Sequence, residues 1–220
     1  MARPLFTDAE LETIRQAVSE AERATAGEIV PFVVQRSGRY EFAVWRGAAL
    51  GALLAALGGL SVAATYSGWG LSWLYAAEGL LALVFVGAVV GGGLVAFVPA
   101  LRRALAGAAR LDENVGRRAA AAFLEEEVFN TRDRTGILLF VSLLEHRILV
   151  VGDAGINQKV GQEEWAEVVA RIRRGIREKT LAAGLVDAVG LCGALLHRRG
   201  VEIRPDDTDE LADGVRIRPE

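Results

Sequence analysis

Between Arg46 and Arg102 the only charged residue is Glu78, and nothing else in the sequence constrains the fold as strongly. Within this block, residues 48–66 and 79–98 each supply the roughly 20 apolar residues that a helix needs to cross the hydrocarbon core of a bilayer. In lipid only a helix or a closed barrel satisfies its own backbone, so two such stretches in succession predict a helical hairpin. Ser67-Gly68-Trp69-Gly70-Leu71-Ser72-Trp73 reads as the tight turn between them. Tyr66, Trp69, Trp73 and Tyr75 cluster at that end and Trp45 stands at the other, as aromatic side chains do at membrane–water boundaries. The competing arrangement is a hairpin buried in a soluble core; the length of both stretches and their aromatic flanks favour the bilayer.

Gly47 and Gly51 in the first stretch, and Gly87 and Gly91 in the second, have the four-residue spacing that lets membrane helices approach closely. The alternative is that they reflect the 25 glycines of a Gly-rich chain. Arg36, Arg39 and Arg46 precede the block, Arg102, Arg103 and Arg110 follow it, and the turn has no Lys or Arg. The positive-inside rule then places both chain ends in the cytoplasm and the protein in a cell (inner) membrane as a two-span protein.

Outside the block the chain reads as globular sequence. The net charge of −3 is unsuited to a nucleic-acid binder, which needs a basic face to displace counterions. Cys192 is the single cysteine, so an intramolecular disulfide and a CxxC zinc site are both excluded. Residues 1–6 lead directly into Thr7-Asp8-Ala9-Glu10, a capping-box pattern, where a secretory signal would place an apolar core. Leu11, Ile14, Val18 and Ala21 continue at helical spacing to about residue 24. Residues 28–34 form a β-rich run, with Pro31 suggesting an edge position or a bulge. After the block, residues 102–129 read as one Ala-rich helix, 137–143 and 148–151 as two strands joined by a short turn, and 163–174 and 180–197 as two helices. The first two strands should pair in parallel and the third antiparallel to the second. The expectation is an α/β three-layer sandwich with a small mixed sheet flanked by helices. It is formed by residues 1–46 and 102–205 and interrupted by the hairpin 47–101, with 206–220 an acidic, exposed tail.

Thr25-Ala26-Gly27-Glu28-Ile29-Val30, Arg132-Asp133-Arg134-Thr135-Gly136-Ile137-Leu138-Leu139-Phe140-Val141, Arg147-Ile148-Leu149-Val150-Val151-Gly152-Asp153-Ala154-Gly155-Ile156, Trp165 and Gly184-Leu185 occur in that order. Together they resemble the TPM domain family, in particular its bacterial membrane branch, in which a hairpin is inserted after the first strand. The resemblance implies an α/β sandwich, an acid phosphatase activity and binding of a divalent ion, Ca²⁺ in some relatives. Several relatives look like assembly or repair factors for membrane complexes, so the resemblance speaks for the fold more than for a reaction.

Strand direction gathers Thr25, Glu28, Arg132, Asp133, Asp153 and Asn157 at one edge of the sheet, away from the edge where the chain leaves for the hairpin. Three carboxylates from separate segments, Glu28, Asp133 and Asp153, have the chemistry to hold Ca²⁺ or Mg²⁺ through oxygen. Arg132, Arg134 and Asn157 beside them have the chemistry to hold a phosphate against that metal. The same residues also suit an ion-paired edge without metal, with Asp153 capping the following helix and Glu28 paired across the strands. His146, His197, Cys192 and Trp165 read as solvated or packed residues, and no nucleophile with a positioned base can be named. Two functions compete: a membrane-tethered binding or scaffold module for a membrane-complex partner, and a weak metal-dependent acid phosphatase.

Overall fold

The structure, a computed structural model, describes residues 5–66, 76–201, 203 and 210–219. In chain order the elements are α1 (Asp8–Glu22), β1 (Glu28–Val34), α2 (Glu41–Thr65), α3 (Ala77–Phe97), α4 (Pro99–Ala106), α5 (Ala108–Glu125), β2 (Gly136–Ser142), β3 (Arg147–Gly152), α6 (Ala154–Asn157), a 3-10 turn (Gln162–Trp165), α7 (Ala166–Glu178), α8 (Leu181–Arg198) and β4 (Arg216–Arg218). They divide into two compact units, one formed by the chain up to residue 37 and from 114 onward, the other by residues 38–113. The expected turn at 67–73, with Trp69, Trp73 and Tyr75, lies outside the described residues, as do 206–209 of the acidic tail.

The first unit is a mixed α/β sandwich around a four-stranded sheet of order β3-β2-β1-β4. β1 and β2 run parallel in register from Glu28↔Gly136 to Val34↔Ser142, and β3 runs antiparallel to β2. Every residue of β1 and β2 is buried, because helices cover both faces; this is why the two strands read as unbroken apolar runs rather than alternating ones. Ile29, Val33, Ile137, Leu139 and Val141 face a layer built from α1, α7 and α8, where Trp165, Ile172 and Leu185 are fully enclosed. Val30, Phe32, Val34, Leu138 and Phe140 face Val115, Ala119 and Ala122 of α5. Phe32 stacks on Phe140 with ring centroids 5.7 Å apart. α1 begins as its sequence requires: the Thr7 hydroxyl accepts from the Glu10 N–H, and the Glu10 carboxylate accepts from the Thr7 N–H at 2.8 Å.

Pro31 marks no bulge; it occupies an edge position on a strand that is inner only further along. The Glu28 N–H donates to Thr135 and the Val34 carbonyl accepts from Leu143, whereas the Gln35 N–H donates to Arg218. Even-numbered residues of β1 therefore turn their backbone groups toward β2 and odd-numbered ones toward β4. Pairing with β4 begins only at Phe32, so the missing N–H of Pro31 falls where no β4 partner stands.

The C-terminal segment is not a tail apart from the domain. Arg216–Arg218 adds to the free flank of β1 as β4, and Leu211 packs against the core on the α5 side. A three-residue strand reading Arg-Ile-Arg has no apolar run to announce it. It is held instead by backbone pairing and by Glu126, which meets Arg216 at 3.1 Å and Arg218 at 3.3 Å.

In the second unit α2 and α3 lie antiparallel in close contact. A Cβ on Gly51 would sit 2.1 Å from the Gly87 carbonyl oxygen, and one on Gly91 would sit 2.3 Å from that of Gly47. The four-residue glycine spacing is therefore a packing device. The expected single helix over 102–129 is broken. Pro99 opens α4 at its first turn, and Gly107 at φ 84 separates α4 from α5 in a conformation that disfavours side chains.

Among the described residues three helices are long and apolar enough to cross a membrane: α2, α3 and α8. They differ in surroundings. Half of the apolar window of α8 is buried, against about a tenth in α2 and α3. Leu53, Leu54, Leu57, Leu81, Phe85 and Val89 of α2 and α3 are all more than half exposed.

Candidate functional site

The amino-terminal edge of the β1–β2 pair gathers the expected residues from three loops. Thr25 closes the turn before β1 by accepting the Gly27 N–H at 3.0 Å. Before β2, the Thr131 hydroxyl accepts the Thr135 N–H at 2.9 Å, and Arg134 takes a left-handed backbone, φ 58. That conformation directs Arg134 to Asp153 at the end of β3. Its Nη2 lies 3.0 Å from Oδ1 and its Nε lies 2.6 Å from Oδ2, a two-point contact of guanidinium with carboxylate. Asp153 is 5% exposed, and its Oδ1 also accepts the Ala154 N–H at 2.7 Å at the start of α6. The backbone repeats the clamp, with Asp153 N–H donating to Gly136 and Gly155 N–H donating to Arg134, both at 2.9 Å. Gly155 has to be glycine, since a Cβ there would sit 2.3 Å from the Asp133 carbonyl oxygen.

Glu28, at the start of β1, is 8% exposed. Its carboxylate accepts N–H groups from the returning C-terminal segment, from Glu210 at 3.2 Å and Leu211 at 3.4 Å. The Glu210 carboxylate in turn accepts the Arg132 N–H at 3.0 Å. Asn157 is exposed, and its Nδ2 donates to the Gly152 carbonyl at 2.6 Å. Asp133 is exposed.

The structure thus brings Arg134 and Asp153 together and joins Glu28 to the segment that also meets Arg132. Among the described residues no group of three His, Cys, Asp or Glu side chains is arranged to hold a metal ion. The Asp153 carboxylate is shared between a guanidinium and a helix cap, so the oxygens a cation would need are already engaged within the protein. The arrangement is suited to holding three loops in register.

Sequence reasoning missed two features. One is the return of Glu210 and Leu211 to Glu28. The other lies at the opposite edge, where Glu145 in the β2–β3 turn is 1% exposed. It accepts the Ser37 N–H at 2.8 Å and the Ser142 hydroxyl, while the Ser37 and Ser142 hydroxyls lie 2.7 Å apart. A serine ending an apolar strand, followed three residues on by a turn glutamate, is the one sequence signal for it, and it is faint. His146 beside it adopts φ 53. Trp165 and Cys192 are core residues, 1% and 0% exposed, and burial pushes the Cys192 thiol far above its usual range.

No family model matches the chain, and no curated protein matches it. Among solved structures, the NMR structure of the BA42 protein from the psychrophilic bacterium Bizionia argentinensis is similar. The two share 18% identity over 99% of each chain, with a TM-score of 0.59. At that identity the likeness shows the α/β fold alone.

Proposed function

We propose that this chain is a membrane-tethered binding or scaffold module. In this reading α2 and α3 cross the bilayer, α8 does not, and the α/β unit with both chain ends stands in the cytoplasm against a membrane-protein partner. The observation that carries it is the exposure of the apolar faces of α2 and α3, whose contact with each other is made by glycines. Large apolar side chains turned outward along two helices of membrane length need lipid as their solvent. The arginines at Arg36, Arg39, Arg46, Arg102, Arg103 and Arg110 support the orientation.

The rival reading is metal-dependent phosphomonoester hydrolysis with Ca²⁺ or Mg²⁺ at Glu28, Asp133 and Asp153. It requires carboxylates open to a cation, and the hydrogen bonds at Glu28 and Asp153 favour a structural edge instead. One pair of measurements tests the proposal. A cysteine at Glu20, exposed on α1, and one at Ser67, between α2 and α3, should label oppositely with an impermeant thiol reagent on intact cells, position 67 alone from outside. Millimolar Ca²⁺, Mg²⁺ or Mn²⁺ should leave the unfolding midpoint of the purified chain unchanged. Labelling of position 20 from outside would overturn the orientation. A metal-induced rise in midpoint that is lost in Asp153→Asn would favour the hydrolase, because only binding to the folded state raises that midpoint.

A further inference from the structure

Phe42 and Arg46 stand one turn apart at the start of α2, and Arg110 stands near the start of α5, all within the second unit. The guanidinium carbons of Arg46 and Arg110 lie 4.8 Å and 4.3 Å from the centroid of the same Phe42 ring. The two positive carbons are therefore within about 9 Å of each other. Both arginines are exposed. Among the described residues neither has a carboxylate at ion-pair distance; Arg46 gives one N–H to the Leu105 carbonyl at 2.9 Å, leaving the rest of its fork open. Two like charges held on one aromatic ring, with no carboxylate at ion-pair distance among the described residues, present converging N–H donors suited to an anion.

The neighbourhood says which anion. Trp45, adjacent in sequence to Arg46, is 75% exposed, and Phe97, at the end of α3, is 87% exposed. Exposed aromatic rings beside arginines at the ends of apolar helices are the side-chain pattern of the headgroup layer. We propose that Arg46 and Arg110, held on Phe42, bind the phosphate of an anionic glycerophospholipid. This assignment rests on the reading that α2 and α3 span the bilayer. The ring fixes both guanidiniums in advance, so each can offer paired N–H donors to phosphate oxygens with little side-chain ordering left to do.

The test uses the full-length chain in micelles doped with phosphatidylglycerol or phosphatidylcholine, with retained lipid counted by native mass spectrometry and the unfolding midpoint followed in parallel. Phosphatidylglycerol should be retained in preference and should raise the midpoint, while inorganic phosphate should do neither. Arg46→Gln and Arg110→Gln should each weaken retention about fivefold, the effect of one basic residue at an anionic surface. The double Lys variant, which keeps the charge but loses the planar fork, should fall between them and the wild type. The charge-matched pair Arg173→Gln and Arg177→Gln on α7 should change nothing. Equal retention of both lipids would overturn the headgroup site while leaving the membrane reading intact, and no retention of any lipid would overturn both. An equal loss in the α7 control would also overturn the site, by reducing it to general charge attraction.

Discussion

α3 and α8 have similar length, and both are rich in Ala, Gly, Leu and Val, yet the protein uses them in opposite ways. In α8, Leu185, Ala188, Val189, Cys192 and Leu196 are fully buried against α1, α7 and the sheet. In α3, Phe85, Val89 and Val90 are 69%, 59% and 54% exposed. Hydropathy over a window measures what a helix contains; it does not measure what surrounds it. α8 carries Asp187 midway and His197, Arg198 at its end, so one flank meets water while the other is core. α3 has no charge after Glu78, and the protein supplies it with too few neighbours to cover it. The apolar helix that other helices enclose belongs to a globular core, and the one they leave bare has the exposed apolar surface that the proposed membrane span requires.

The largest expected effect comes from placing a charge on each helix. Val189→Asp buries a carboxylate without a partner and should abolish folding of the α/β unit, a loss of more than about 4 kcal/mol. Val90→Asp should leave that unit folded and should instead impair membrane insertion, at about 3 kcal/mol for a central acidic residue. Circular dichroism and membrane fractionation of the two variants separate the outcomes. If both variants fractionate and unfold alike, the distinction between the helices fails.

Next comes the buried tie at the carboxyl edge of the sheet. Glu145→Ala strips the Ser37 N–H and the Ser142 hydroxyl of their acceptor. It should lower the stability of the α/β unit by about 1–3 kcal/mol, read from denaturant midpoints, with membrane association unchanged. A smaller loss is expected at the glycine contacts. Gly184→Ala would place a Cβ 3.0 Å from Gly175 Cα and 3.2 Å from the Arg171 carbonyl oxygen. It should cost the α7–α8 pair about 1–2 kcal/mol. Gly87→Ala would bring a Cβ to 2.5 Å from both the Gly51 oxygen and Ala55; it should loosen α2 from α3, read by cysteine cross-linking, without moving the midpoint of the α/β unit.

The smallest effect is electrostatic. The Gly161 N–H and the Arg199 guanidinium, just past α8, hold Glu164 below the usual carboxylate range. A depressed carboxylate contributes stability that is complete above its unfolded value and is lost as pH falls through the folded one. Glu164→Gln should therefore lower the midpoint slightly at neutral pH and not at all in strong acid, compared across a pH series of thermal unfolding.

Much of this was legible in the sequence. Periodicity and capping fixed α1, the unbroken runs located β1 and β2, and the glycine spacing anticipated the α2–α3 contact. The strand directions gathered Arg132, Asp133 and Asp153 at one edge of the sheet, and Arg134, next to that group in sequence, meets Asp153 there. What escaped has a common physical origin. β4, the Glu210–Leu211 contact with Glu28 and the Glu145 tie are non-local hydrogen bonds made by short polar segments, with no apolar run or repeating spacing to reveal them. Pro31 reported only the one unpaired position on that flank of β1, whereas the strand order depends on β4, a segment far away. Gly107 was one glycine among many, and only its positive φ distinguishes it as a helix break.

The most direct test places nitroxide labels at Val90 on α3 and at Ala194 on the exposed side of α8, one at a time, in the full chain reconstituted in bilayers. Native Cys192, being fully buried, should not react with the labelling reagent. Collision with oxygen, which concentrates in lipid, and with a water-soluble nickel chelate then reports the surroundings of each label. Position 90 should collide with oxygen and exclude the chelate, and position 194 should admit the chelate. A lipid-like response at 194, or a water-like one at 90, would contradict the division of labour between the two helices.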